Sequence, residues 1–131
     1  NLNSDLKVSS LACPLLVPLI EEGMTDDPVT KEVLRRYLNK LEGIDTLVLA
    51  CTHYPILKKI VRELRPDLKI VDPAISLAYQ LKTYLEVHQE IKIKKGNDHE
   101  YYFSDQPYHL AKISELCLGS KIEAHITNPF V

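Results

Sequence analysis

The stretch Ile44-Asp45-Thr46-Leu47-Val48-Leu49-Ala50 decides how the rest of the chain is read. It is a nearly continuous apolar run rich in β-branched residues, and it reads as a strand buried on both faces, as in a parallel sheet. Immediately before it, Asp27-Pro28 offers a capping oxygen followed by a ring whose φ suits a first helical turn. Val29, Val33, Leu34, Tyr37, Leu38 and Leu41 then recur at helical spacing up to Gly43, where a helix stops. After the run, Thr52 is placed to cap a helix with the apolar stripe Ile56, Leu57, Ile60, Val61 and Leu64, closed by Pro66.

The same alternation extends outward. Leu6 to Leu11 suits a short strand, and Leu15 to Ile20 is an apolar stretch ending at Glu21-Glu22-Gly23. Leu68 to Val71 reads as a strand, and Asp72-Pro73 opens a further helix through Leu77, Ala78, Leu81, Tyr84 and Leu85. Glu90 to Asn97 is a polar, basic connection or edge strand. Glu100 to Ser104 suits a strand, Gln106 to Leu118 a helix with Gly119 behind it, and Ile122 to Ile126 a last strand. Strands and helices in this order predict an α/β fold with a mainly parallel sheet flanked by helices. No repeat of fixed period and no low-complexity segment interrupts the pattern.

Composition narrows the function classes. A chain of 131 residues, 45% hydrophobic and 26% charged, matches a soluble globular domain with a core of useful size. The net charge of -2, with acidic and basic residues interspersed, lacks the basic stripe that tracks a phosphate backbone, so nucleic acid is not an expected partner. No apolar run reaches the length of a membrane span and no secretory layout opens the chain, so no membrane partner is expected. Cys13, Cys51 and Cys117 are odd in number and far apart, which fits a reducing cytoplasm better than a disulfide framework. The chain opens with Asn1 and runs at once into an apolar segment, as a piece of a longer protein would.

Chemistry is expected where parallel strands end and helices begin, because ligands gather there. Three such junctions carry polar or reactive groups: Cys13, Cys51-Thr52-His53 and Asp72. A thiol at a helix N-terminus has its thiolate favoured by the peptide dipoles, and free N–H groups beside it can receive a carboxylate. His53 adds a second titratable group, on the same side as Cys51 if strand geometry continues. The plainer readings are core packing for Cys13 and Cys117, hydrogen bonding near a helix start for His53, a helix cap for Asp72, a solvated turn for Glu21 and Glu22, and sheet packing for Tyr101, Tyr102 and Phe103. Cys-x-His alone supplies too few ligands for a metal site.

The run Leu47-Val48-Leu49-Ala50-Cys51-Thr52-His53-Tyr54-Pro55 resembles the second cysteine motif of glutamate racemases, a branch of the aspartate/glutamate racemase superfamily. Leu11-Ala12-Cys13-Pro14, continuing through Val17-Pro18-Leu19-Ile20-Glu21-Glu22-Gly23, resembles the motif that precedes it there, at about the right interval. The resemblance runs from about Val8 to Ile126 and is loose after Val87. It implies a cofactor-independent, metal-free interconversion of L- and D-glutamate, supplying D-glutamate for peptidoglycan. Two cysteines on opposite faces of the substrate exchange the roles of base and acid. On this resemblance Cys51 is the second of them, Thr52 and His53 bind substrate and assist it, and Glu21 stands near the ammonium group or His53. Cys13 matches no catalytic position.

The family's first-half motifs, an Asp-Ser pair, a Tyr-Gly pair and Cys-Asn-Thr with the other cysteine, do not occur in this sequence, and Ala50 stands where Gly is frequent. The resemblance therefore implies a C-terminal half. Residues 1–71 would form most of the lobe carrying Cys-Thr-His, and residues 72–131 would complete the other. The expected partners are glutamate, the N-terminal half of the same protein and further copies in a homo-oligomer. Alone the chain is expected to be inactive. The competing expectation is a stand-alone, non-catalytic α/β module that binds a carboxylate or a protein.

Overall fold

The computed structural model describes residues 5–92, 96, 99–105 and 108–128. The apolar stretch after Cys13-Pro14 forms helix α1 (Leu16–Glu21), in which Leu16 and Ile20, one turn apart, are both buried. The Asp27 side chain accepts from the Val29 N–H at 2.8 Å and so starts α2 (Pro28–Leu38), as its sequence predicts. Thr30, fully buried on that helix, donates its hydroxyl to the Met24 carbonyl at 2.6 Å and fixes the α1–α2 turn. The helix ends at Leu38, earlier than expected, and Gly43 belongs to the turn that enters strand β1 (Thr46–Val48).

A 3-10 turn (Tyr54–Leu57) runs straight into α3 (Lys58–Leu64), followed by β2 (Lys69–Val71) and α4 (Pro73–Val87). Strand β3 (Tyr101–Phe103), helix α5 (Leu110–Leu118) and strand β4 (Ala124–Ile126) complete the order, with Gly119 ending α5 in the left-handed conformation. Strands β1 and β2 pair in parallel with Leu47 opposite Ile70, and β3 and β4 pair in parallel with Tyr102 opposite His125. The α/β class and the parallel pairing hold, as two separate two-stranded sheets.

Three expectations about strands and their surroundings are corrected. Leu6 to Leu11 forms no strand: Leu6 and Val8 are exposed, and among the described residues no neighbouring strand supplies a ladder. Strand β1 is not buried on both faces, because among the described residues it pairs only with β2, and Val48 is left 53% exposed. Cys117 is exposed on α5 and is not a core residue, because that helix buries only Ser114. Of the expected Glu90–Asn97 connection, residues 93–95 and 97 lie outside the described residues, as do Gln106 and Pro107 at the expected start of the last helix.

The core is made by three helices and one turn. Leu16 and Ile20 of α1, Leu34 and Leu38 of α2, Leu57 of the 3-10 turn, and Ile60 and Val61 of α3 form one buried cluster, with Leu47 and Ile70 of the sheet packed against it. Helix α4 takes no part. None of its residues is buried, and Ile75, Leu77, Leu81 and Tyr84 are all more than half exposed. No helix among the described residues is long and apolar enough to cross a membrane.

Because Ile20 is wholly buried and immediately precedes Glu21, its truncation tests whether this cluster holds the fold. Ile20→Ala should destabilise the chain by about 2–5 kcal/mol, the range for a large-to-small core change. Urea unfolding followed by circular dichroism would measure it, and a midpoint unchanged from the parent would contradict the packing described.

Candidate active site

Strand β1 ends at Val48, but its ladder reaches further, since the Leu49 N–H donates to the Val71 carbonyl at 3.0 Å. The chain then bends through Cys51, Thr52 and His53 before the 3-10 turn begins. Two hydrogen bonds set that bend: Tyr54 N–H to the Cys51 carbonyl at 3.2 Å, and Ile56 N–H to the His53 carbonyl at 3.1 Å. Pro55 sits within the first turn, where its fixed φ stiffens the corner. Thr52 does not cap the following helix as expected. Its hydroxyl lies 3.3 Å from His53 Nδ1 instead, because the helical turn starts two residues later.

Cys51 and His53 do converge, through this bend and not through continued strand geometry. Cys51 Sγ is 4.0 Å from His53 Nδ1, the outer edge of a sulfur hydrogen bond. The other ring nitrogen, Nε2, is 3.2 Å from Glu21 Oε1 at the end of α1. An ionised carboxylate only accepts, so Nε2 carries the proton in this contact. A neutral His53 then presents the Nδ1 lone pair to the thiol and to Thr52, and a charged one presents Nδ1–H to a thiolate. Glu21 thus stands in contact with His53. The Thr52 and His53 N–H groups donate to no backbone carbonyl among the described residues.

The other two junctions behave differently. Cys13 lies against the core, its thiol 3.6 Å from the Leu11 carbonyl, and burial pushes its pKa up while Lys40 opposes the shift. The Tyr54 hydroxyl donates to the Cys13 carbonyl at 3.3 Å, and burial, with the neighbouring cysteines, raises the tyrosine too. An apolar cavity of about 150 Å³ lies here, lined by Cys13, Leu16, Tyr37, Leu47 and Tyr54. It offers packing space and little polar chemistry. A larger cavity of about 550 Å³ opens at the carboxyl end of α1, lined by Glu21, Glu22, Phe103, His109 and Ile113. Cys51 lines neither cavity. His109 Nε2 is 3.2 Å from Glu22 Oε2, and Lys112 Nζ is 3.2 Å from the Glu22 carbonyl. No local pattern points to His109 or Lys112, which come from a distant part of the chain.

Sequence and structure comparisons agree on what this arrangement is like. The chain is 37% identical over 123 residues to the glutamate racemase of Aquifex aeolicus, covering 93% of itself and 46% of that protein. It is 39% identical over 126 residues to that of Geobacter metallireducens, covering 92% and 46%. The glutamate racemase of Francisella tularensis, solved in complex with D-glutamate, superposes with a TM-score of 0.84 at 28% identity, covering 96% of this chain and 49% of that one. A Bacillus anthracis glutamate racemase isoform gives 0.85 at 30% identity, covering 99% and 50%. In sequence and in fold, the chain matches the C-terminal half of a glutamate racemase. It spans about half the length of the curated relatives it matches. No family model matches the chain.

Among the described residues no group of three or more His, Cys, Asp or Glu side chains is disposed to hold a metal ion. The third junction is structural. Asp72 accepts from the Ala74 N–H at 3.0 Å, capping α4 as expected, and pairs at 2.5 Å with Lys58, the first residue of α3. With the carboxyl side chain only 8% exposed, this pair ties the turn after Cys51 to the end of β2. The Lys58 hydrogen bond holds the Asp72 carboxyl below its ordinary value of 3.8, and the Ala74 N–H adds to that against the cost of burial.

A depressed folded-state value contributes stability that is complete above the ordinary value and disappears as pH falls through the lower one. Lys58→Met should therefore destabilise the chain at neutral pH, and the gap to the parent should close in strong acid. Thermal unfolding across that range would show it. A gap independent of pH would exclude the ion pair as its cause.

Proposed function

We propose that this chain supplies one face of a glutamate racemase active site, with Cys51 as the residue that exchanges a proton with the substrate α-carbon. The observation that carries the reading is the continuous path from Cys51 Sγ through both nitrogens of His53 to Glu21 Oε1, on a chain matched to glutamate racemases. In this reading Glu21 fixes the imidazole, His53 Nδ1 exchanges the thiol proton, and the thiolate removes the α-proton of one enantiomer. Thr52, with its hydroxyl and N–H, and His53 N–H receive the substrate carboxylate and the charge that develops on it. The substrate is glutamate, and D-glutamate made this way serves peptidoglycan synthesis in the cytoplasm. The reaction as proposed uses neither pyridoxal phosphate nor a metal.

Inversion demands a second acid on the opposite face of the α-carbon. Neither remaining cysteine suits the task, since Cys13 is turned to the Leu11 carbonyl within the core region and Cys117 is exposed on α5. The second group is assigned to an N-terminal half, with residues 1–71 forming one lobe and 72–131 completing the other. The apolar residues of α4 are the surface that half would cover, and their exposure favours this reading over a self-sufficient module. Assembly into a homo-oligomer belongs to the same proposal.

The test uses protein in which this sequence is preceded by its N-terminal half, assayed for circular-dichroic loss of either glutamate enantiomer. Cys51→Ser should reduce racemisation by about 10²–10⁴-fold, the scale of a lost general acid–base group. Cys117→Ser should leave it near the parental rate, and the 131-residue chain alone should be inactive. Equal rates for the two variants would remove Cys51 from the mechanism.

A further inference from the structure

Helix α1 is short and carries the carboxylate on which His53 depends, so whatever holds its carboxyl end also holds the proton path. The last carbonyls of a helix lack intrahelical partners and favour a nearby cation. Helix α1 has no basic residue in its own last turn. Its end is closed instead by Gly23, at φ +71°, whose N–H donates to the Ile20 carbonyl at 2.8 Å, with Met24 N–H reaching Leu19 at 2.9 Å. The cation arrives from α5: Lys112 Nζ donates to the Glu22 carbonyl at 3.2 Å. Its stem crosses Gly23 so closely that a Cβ there would lie 1.9 Å from Lys112 Cε. One turn earlier on the same side, His109 Nε2 meets Glu22 Oε2 at 3.2 Å.

We propose that Lys112, assisted by His109, is a positioning residue that clamps the carboxyl end of α1 and so sets Glu21 against His53. The proposal rests on the reading of Cys51, His53 and Glu21 as the proton-handling set, and it adds a residue from the C-terminal segment to that set's support. An isolated exposed ion pair contributes little. Here Lys112 of α5 and His109, the residue just before that helix, converge on one residue next to Glu21, and the glycine beside it leaves the space that Lys112 fills. The clamp also couples the segment after Asp72 to the Cys-Thr-His bend without touching Cys51.

The experiment uses this chain carrying Cys117→Ser, so that alkylation by iodoacetamide reports mainly on Cys51, together with ¹⁵N spectra of the His53 ring across the neutral range. Lys112→Met should slow Cys51 alkylation about threefold, the scale of a lost exposed ion pair, and should displace the His53 ring signals. Lys112→Arg, which keeps a cationic donor, should restore both. His109→Gln should produce a smaller change of the same sign. The proposal is overturned if Lys112→Met leaves both readouts parental, or if it alters alkylation with the His53 signals unmoved. Neither readout involves turnover. A parental Lys112→Met would therefore leave the racemase reading standing, and an inactive full-length protein would leave the clamp standing.

Discussion

One imidazole joins two segments that the chain separates widely, and the site exists because its two nitrogens face different partners. Glu21 meets Nε2, and the Cys51 thiol and Thr52 hydroxyl meet Nδ1. The carboxylate favours the proton on Nε2 and leaves Nδ1 to the thiol and the hydroxyl. The sulfur contact, at 4.0 Å, stands at the outer edge of a hydrogen bond. The hydrogen bonds from Tyr54 and Ile56 back to Cys51 and His53 brace the backbone of the bend.

These side chains are held by a core that lies almost wholly in the first half of the chain. Ile20 and Leu16 anchor the helix that bears Glu21, and Leu57, Ile60 and Val61 anchor the turn and helix that follow His53. The β1–β2 pairing brings the Cys51 bend beside Asp72, where Lys58 closes the gap. Each site residue is thus one or two positions from a buried or paired neighbour. That proximity converts packing energy into orientation, which is what proton transfer between fixed groups requires.

Features with local causes were legible in the sequence. Asp27 and Asp72 cap their helices because a carboxylate two residues before a free N–H needs no distant partner. Cys51 and His53 are paired on paper by a strand periodicity that stops short of them, and a bend brings them together instead. Features that depend on neighbours were not legible. The apolar run at β1 has the composition of a doubly buried strand, yet burial needs a second neighbour and a covering layer, and Val48 has neither. Cys117 has core-like chemistry on a helix that buries little. Lys112 and His109 act on α1 across the longest separation in the site, and no spacing rule reaches that far.

The proposed division of labour between halves follows from the same physics. One face of a planar carbanion can be served by a bend, a histidine and a carboxylate drawn from one lobe, because those groups need only be fixed relative to each other. In that proposal the opposite face is left to another lobe, since a second acid would have to stand across the substrate from Cys51. Cys13 and Cys117 are committed elsewhere, one to the core and one to an exposed helix. Helix α4 is apolar yet half exposed along its length, and in the same proposal that surface is the one the lobe bringing the second acid would cover.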